Sequence, residues 1–208
     1  VASSPIAPPA PAQPFDAVAG SYDAAFSQRR LGRWLRAMVW QRLERAFAPG
    51  QHVLELGCGT GEDAVWLARR GVRVTATDVS APMLAVTRQK AEAAGVGARV
   101  TVARLDLAAL PSAGLAEEYD GVVSSFGPLN CVEDRRAVAG ALAGGVRPGG
   151  RLVLVVMGPI CPWEIAWHLG HGQMRTALRR FRAGAPARVG ADGRLRVWYP
   201  SPGRLRRE

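Results

Sequence analysis

Strand-like and helix-like runs alternate from residue 52 to residue 157, and this rhythm predicts an α/β fold with a doubly wound, mostly parallel sheet. A glycine-rich turn directly after the first strand-like run supports the same class. So does the composition: 208 residues with 48% apolar and 21% charged side chains suit one sizeable core.

The elements follow in order. Residues 1–14 hold five prolines among small residues and no charge, which predicts a disordered, partly extended leader. Between 31 and 47 the apolar positions Leu31, Trp34, Leu35, Met38, Val39 and Leu43 recur at three and four, the spacing of an amphipathic helix, and Pro49-Gly50 ends it. Residues 52–56 read as a short buried strand and 63–70 as a helix stopped by Gly71. A second strand spans 72–77, after which Ser80 sits where a helix cap belongs. Residues 98–105 and 121–125 read as strands three and four, 133–142 as a helix, and 151–157, after Pro148-Gly149-Gly150, as an apolar fifth strand. Beyond Met157 come an apolar run at 163–170, a helical stripe through Met174, Ala177, Leu178 and Phe181, a loop-like stretch at 184–193, and a strand at 195–199.

Composition excludes several classes. No run approaches the 18 or so apolar residues of a membrane span. Cys58, Cys131 and Cys161 form no CxxC pair, so zinc-ribbon and thioredoxin-type sites lack support and a reducing, cytoplasmic setting is expected. The net charge of +10 is uneven: residues 171–208 carry ten basic and two acidic groups, and Arg29, Arg30, Arg33, Arg36, Arg42 and Arg45 form a second cluster. Both clusters read as solvated faces before they read as a patch for an anionic partner, because no aromatic residues alternate with the arginines as a base-stacking platform requires.

The chemistry concentrates at Val53-Leu54-Glu55-Leu56-Gly57-Cys58-Gly59-Thr60-Gly61. Glycines between a strand and a helix let a ligand lie against backbone and aim helix N-terminal amides at it. Glu62 occupies the place of the third dinucleotide-binding glycine, and acidic Glu55 precedes the turn, which suits a cationic ligand better than a pyrophosphate.

Glu55-x-Gly57-x-Gly59-x-Gly61 resembles the first motif of the class I, Rossmann-like, S-adenosylmethionine-dependent methyltransferases. The likeness extends through Asp78 at the end of strand two, Ser80-x-Pro82-Met83-Leu84, Leu105-Asp106-Leu107, 119–125 and Arg147-Pro148-Gly149-Gly150, all in order. Phe15-Asp16 and Tyr22-Asp23 are similar to the family's N-terminal element. The resemblance implies S-adenosylmethionine as cofactor and S-adenosylhomocysteine as product. It implies that Gly57, Gly59 and Gly61 line the methionine and ribose portion, that Glu55 and Tyr22 serve the amino-acid end, and that Asp78 takes the ribose. Asp106 and Leu107 would face the adenine, and Ser124 or Ser125 would lie near the sulfonium. It also divides the chain into the leader 1–14, a cofactor-binding domain at 15–157 and a substrate-side segment at 158–208.

The acceptor is less legible. Ser124-Ser125-Phe126-Gly127-Pro128 replaces the Asn/Asp-Pro-Pro-aromatic segment of enzymes that methylate base nitrogens or glutamine, so a small-molecule acceptor is expected. An RNA or protein acceptor held by the arginine-rich end, or a non-catalytic cofactor-binding subunit, are the alternatives. Trp163, Trp167 and Trp198 are candidates to wall an acceptor pocket. Glu164, His168 and His171 are the available acid/base candidates, and no metal is expected, since His168-x-x-His171 lacks further ligands. The family's seven-strand sheet implies that 195–199 is strand six with strand seven missing, that 201–207 begins a helix, and that the chain is truncated. A displaced C-terminal segment, or a homodimer paired through that edge, follows as an expectation.

Overall fold

The computed structural model describes residues 12–115, 117–191 and 193–208; positions 1–11 of the expected leader lie outside the described residues. Five parallel strands form one sheet in the order β3-β2-β1-β4-β5. They are β1 (His52–Leu56), β2 (Arg73–Asp78), β3 (Val100–Arg104), β4 (Tyr119–Ser124) and β5 (Val146–Leu154). The order reverses between β1 and β4, which places a crevice at the carboxyl ends of those two strands. Helices α1 (Arg30–Ala46), α2 (Glu62–Arg69), α3 (Ala81–Ala93), α4 (Leu110–Ala113) and α5 (Arg135–Ala143) accompany the strands. The expected fold class is therefore present.

Two apolar cores cover the sheet. One joins Val39, Leu43 and Phe47 to Val53, Leu67, Val74 and Val123. The other joins Leu54, Leu56 and Val122 to Leu110, Val138 and Leu142. Ser80 caps α3 as expected, its hydroxyl accepting from the Met83 amide at 3.3 Å, and Asp134 caps α5 through the Ala137 amide at 3.0 Å.

Three expectations are corrected. The inward line of α1 is Gly32, Arg36, Val39 and Leu43, while Leu31, Trp34 and Met38 face outward. Arg36 is drawn inside by Asp63, so the helix is rotated from the orientation its apolar spacing predicts. β5 begins at Val146 and absorbs Pro148-Gly149-Gly150 as an irregularity in the ladder, with Tyr119 opposite Val146 and Gly121 opposite Arg151.

The third correction concerns the C-terminal segment. After α6 (Pro162–Gly170) and α7 (Met174–Ala177), the stretch read as a loop contains β6 (Ala185–Val189), which pairs antiparallel with β7 (Gly193–Val197). β7 is thus one arm of a separate hairpin, not strand six of the main sheet, and its backbone groups find partners within that hairpin. The edge strands of the main sheet are β3 and β5. The expected helix is present as α8 (Pro202–Leu205), capped by Ser201.

Candidate functional site

The turn after β1 is built for close approach. Gly57, Gly59 and Gly61 all adopt positive φ, at 67°, 55° and 76°. They differ in what surrounds them. A Cβ at Gly57 would lie 2.2 Å from Pro128, and one at Gly61 would lie 2.5 Å from Thr87, so these two glycines satisfy packing. A Cβ at Gly59 would meet no protein atom within 4 Å, since Gly59 faces open space.

Asp78 holds this turn from the end of β2. Its Oδ2 accepts from the Gly59 amide and its Oδ1 from the Ser80 amide, each at 2.9 Å. Burial pushes its pKa up and the amides of Ser80 and Gly59 pull it down, with the net shift upward. The N-terminal segment closes over the same region. Asp16 accepts from the Ser80 hydroxyl at 2.6 Å, and Asp23 accepts from Thr60 at 2.7 Å and from Lys90 at 2.6 Å.

Two cavities meet over the turn, sharing Phe15, Gly57, Asp78, Pro128, Cys131 and Leu195. The first holds about 230 Å³ and is bounded by Tyr22, Gly59, Ser125, Phe126 and the inner face of the hairpin. The second holds about 250 Å³ and is bounded by Leu105, Asp106 and Leu107.

A smaller polar recess opens beneath Tyr22 and Gly59, lined by Arg36, Glu55, Asp63 and Ser125. Three buried polar atoms there have no hydrogen-bond partner among the described residues: Arg36 Nε, Glu55 Oε2 and Ser125 Oγ. Buried polar groups are ordinarily satisfied, and a guanidinium, a carboxylate and a hydroxyl around one recess are the groups that could meet the two ends of a zwitterion. Burial raises the Glu55 pKa well above 4.5, neighbouring Asp63 raises it further, and Arg36 opposes both. Arg36 donates to Asp63 at 2.8 Å, and Trp40 donates to the same oxygen at 2.8 Å.

The sequence-predicted residues divide into three groups. Tyr22, Glu55, Gly57, Gly59, Asp78, Ser125, Asp106 and Leu107 all line the connected cavities. Gly61 and Ser124 lie behind them, Gly61 against Thr87 and Ser124 fully buried with its hydroxyl donated to the Leu56 carbonyl at 3.2 Å. The acid/base candidates lie elsewhere. Glu164 is bound by Arg179 and Arg180, His168 donates Nδ1–H to Gln173 Oε1 at 2.7 Å, and His171 donates Nδ1–H to the Trp167 carbonyl at 2.7 Å. Trp163, 75% exposed, and Trp167, 53% exposed, point away from the cavities, and Trp198 packs beside Gly184. None of these six lines the connected cavities.

Sequence reasoning missed Arg36, which it counted among solvated arginines, and Phe126. Phe126 follows β4 at φ 59°, a left-handed conformation that bulky residues rarely adopt. Its ring meets Phe26 at 5.5 Å and the Arg36 guanidinium at 5.0 Å. Asn130 was missed too. Fully buried, its amide donates to the carbonyls of Met157 and Trp198 and accepts from the Met157 amide, tying the hairpin exit to the end of β5.

Fold, turn and carboxylates together define a nucleotide-cofactor-binding α/β protein of the methyltransferase type. Residues 53–150 match the family model described as "Methyltransferase domain". A Thermus thermophilus protein named demethylmenaquinone methyltransferase is 37% identical over 150 residues, covering 70% of this chain and 64% of that protein. A Mycolicibacterium paratuberculosis protein of the same name is 36% identical over 143 residues, 67% of this chain and 56% of that one. The chain thus spans roughly three fifths of these relatives. Among solved structures, a DhpI complex with S-adenosylhomocysteine superposes with TM-score 0.63 and 25% identity over 93% of this chain and 80% of that one. The glycopeptide N-methyltransferase MtfA with S-adenosylmethionine gives 0.51 and 26% over 59% and 50%. Residues 53–150 thus carry a methyltransferase domain, and the chain is similar to class I, S-adenosylmethionine-dependent methyltransferases.

Proposed function

We propose that this protein transfers a methyl group from S-adenosylmethionine to a small-molecule acceptor, releasing S-adenosylhomocysteine. The observation that carries this reading is the convergence of three unpartnered buried polar atoms on one recess beside an open glycine turn. In this reading residues 15–157 form the cofactor-binding domain and 158–208 the substrate side. The Glu55 carboxylate holds the ammonium group, while Arg36 Nε and Ser125 Oγ hold the carboxylate of the amino-acid end. Gly57 and Gly59 present backbone, Asp78 accepts the ribose hydroxyls, and Asp106 with the Leu107 amide serves the adenine. Tyr22 closes the recess from above, and Gly61 and Ser124 shape the turn without contact.

The cofactor supplies a methyl carbon on a sulfonium, a reaction that needs alignment and exclusion of water more than a strong protein base. The chain's residues fit that division. Burial raises the Tyr22 phenol, and the Cys131 thiol is pushed up to about 11, so both stay protonated at neutral pH. Acceptor positioning therefore falls to the cavity walls. The names of the relatives support a small-molecule acceptor. The three free thiols suit a reducing, cytoplasmic setting, and among the described residues no helix is long and apolar enough to cross a membrane.

Calorimetry with S-adenosylhomocysteine, followed by an acceptor screen read by product mass, tests the proposal; absence of any heat of binding would sink it. Gly59→Val sharpens the test. At φ 55° a branched side chain strains the backbone by about 1–3 kcal/mol, yet it meets no protein atom. The variant is expected to fold and to lose all measurable binding.

Glu55→Gln separates folding from binding. A carboxyl group whose pKa is raised on folding loses stability as pH climbs above its unfolded value near 4.5. The amide removes that loss. The Tm of unliganded Glu55→Gln should exceed that of the parent above about pH 4.5 by a margin that grows toward neutrality, while cofactor affinity falls. Superimposed Tm profiles would show that the Glu55 carboxylate is satisfied in the free protein.

A further inference from the structure

The β6–β7 hairpin forms one wall of the first cavity, and its pattern names what that wall accepts. Along β6, Ala185, Ala187 and Val189 turn inward while Pro186 and Arg188 are exposed; along β7, Leu195 and Val197 turn inward while Arg194 and Arg196 are exposed. Period-two alternation thus separates the hairpin into an aliphatic face toward the site and an arginine face toward solvent. This segment of the chain is strongly basic, yet every arginine of the hairpin is directed away from the cavity.

The hairpin is seated, not loosely apposed. At its base the Trp198 amide donates to the Asn130 carbonyl at 2.7 Å, and the Asn130 side chain donates to the Trp198 carbonyl at 2.6 Å. At its tip a Cβ on Gly193 would lie 2.5 Å from the Pro14 carbonyl oxygen, and one on Gly190 would lie 2.8 Å from Val18. The opposing wall is apolar as well, supplied by Phe126, Met157 and Pro128. Neither guanidinium behind the aromatic walls lines this cavity, and the open Arg36 Nε faces the polar recess instead. Arg36 sits against Phe126 and is paired with Asp63; Arg180 sits against Tyr199 and is paired with Glu164. Asp78, the one carboxylate among the described residues lining this cavity, accepts from the turn amides.

We propose that this lobe takes an uncharged acceptor with a hydrocarbon or fused-ring body, selected by the aliphatic face of the β6–β7 hairpin. The proposal rests on the methyltransferase reading for the word acceptor, but the apolar selectivity stands on the cavity alone. A carboxylate or phosphate on the acceptor body would be desolvated with no cation left to meet it. An apolar ring displaces water from Ala187, Val189, Leu195 and Val197 and gains by doing so.

The test compares two ligands of one shape, 2-naphthol and 2-naphthoate, titrated into the full chain at pH 7 in the presence of S-adenosylhomocysteine. Neutral 2-naphthol should bind at least tenfold more tightly. Ala187→Glu, which introduces a carboxylate on the inner face, should weaken 2-naphthol at least tenfold with S-adenosylhomocysteine affinity changed less than threefold. The mirror variant Arg188→Glu, on the outer face, should change neither. Because a buried charge can disturb folding, Val189→Thr serves as an isosteric second variant, expected to weaken 2-naphthol about threefold while leaving the Tm within a few degrees. Equal or tighter binding of 2-naphthoate, or 2-naphthol binding indifferent to both inner-face variants, would overturn the proposal. A chain that prefers 2-naphthol but does not bind S-adenosylhomocysteine would uphold the apolar lobe and overturn the cofactor reading instead.

Discussion

Asp78→Ala is expected to lower affinity for S-adenosylhomocysteine by at least a hundredfold, with a smaller loss of stability. Two separate effects add. In the proposed complex the carboxylate accepts from both ribose hydroxyls, and hydrogen bonds to a charged group are worth about 1.5–3 kcal/mol each. In the free protein the same carboxylate accepts from the Gly59 and Ser80 amides, so it shapes the turn as well as the ligand site. Removing it releases Gly59 from its left-handed position and exposes the start of α3. Asp78→Asn distinguishes the two effects. Its carbonyl oxygen can keep one amide contact, so stability should recover in part, whereas ribose recognition needs acceptors on both oxygens and should stay impaired. Calorimetry and thermal unfolding on the same samples give the comparison. An Asp78→Ala protein that binds as tightly as the parent would remove the ribose role from this residue.

The parts of the site that were legible in the sequence are those built from local chain geometry. Glu55, the three glycines, Asp78 and the Ser80 cap lie at the ends of β1 and β2, where strand-to-helix turns impose their own residue types; Gly61 alone of the glycines packs behind the cavities. What escaped was fixed by partners remote in sequence. Arg36 reads as one of a run of solvated arginines; it is buried because Asp63, 27 residues later, meets it. Trp163 and Trp167 recur at helical spacing, which predicts an inward face without saying which structure receives it, and in α6 both turn out. β6 was unreadable for a different reason. Ala185-Pro186-Ala187-Arg188-Val189 carries alanine and proline, residues poor in strands, and it becomes a strand only through its antiparallel ladder with β7 across a turn at Gly190. With β6 unread, β7 was assigned to the main sheet, whose five strands it does not join.

The buried pair Arg36–Asp63 should show the largest effect on stability. Both side chains are withdrawn from solvent, 9% and 2% exposed, and Asp63 stands close enough to Glu55 to raise its pKa. Arg36→Met leaves Asp63 with only the Trp40 indole as a donor and leaves two carboxylates facing each other without a cation. Breaking a buried ion pair from one side costs about 3–5 kcal/mol, so the midpoint of urea unfolding should fall steeply. Removing both charges behaves differently, because a well-packed apolar pair replaces a buried ion pair at little or no loss. Arg36→Met with Asp63→Leu should therefore regain most of the lost stability. It should not regain S-adenosylhomocysteine binding, since Arg36 Nε is one of the three unpartnered atoms facing the recess. Stability and affinity then part company in one protein: the double variant unfolds near the parent's midpoint yet gives no calorimetric signal at parent-saturating ligand. If it bound like the parent, Arg36 would be a packing residue, and the recess would hold the amino-acid end through Glu55 and Ser125 alone.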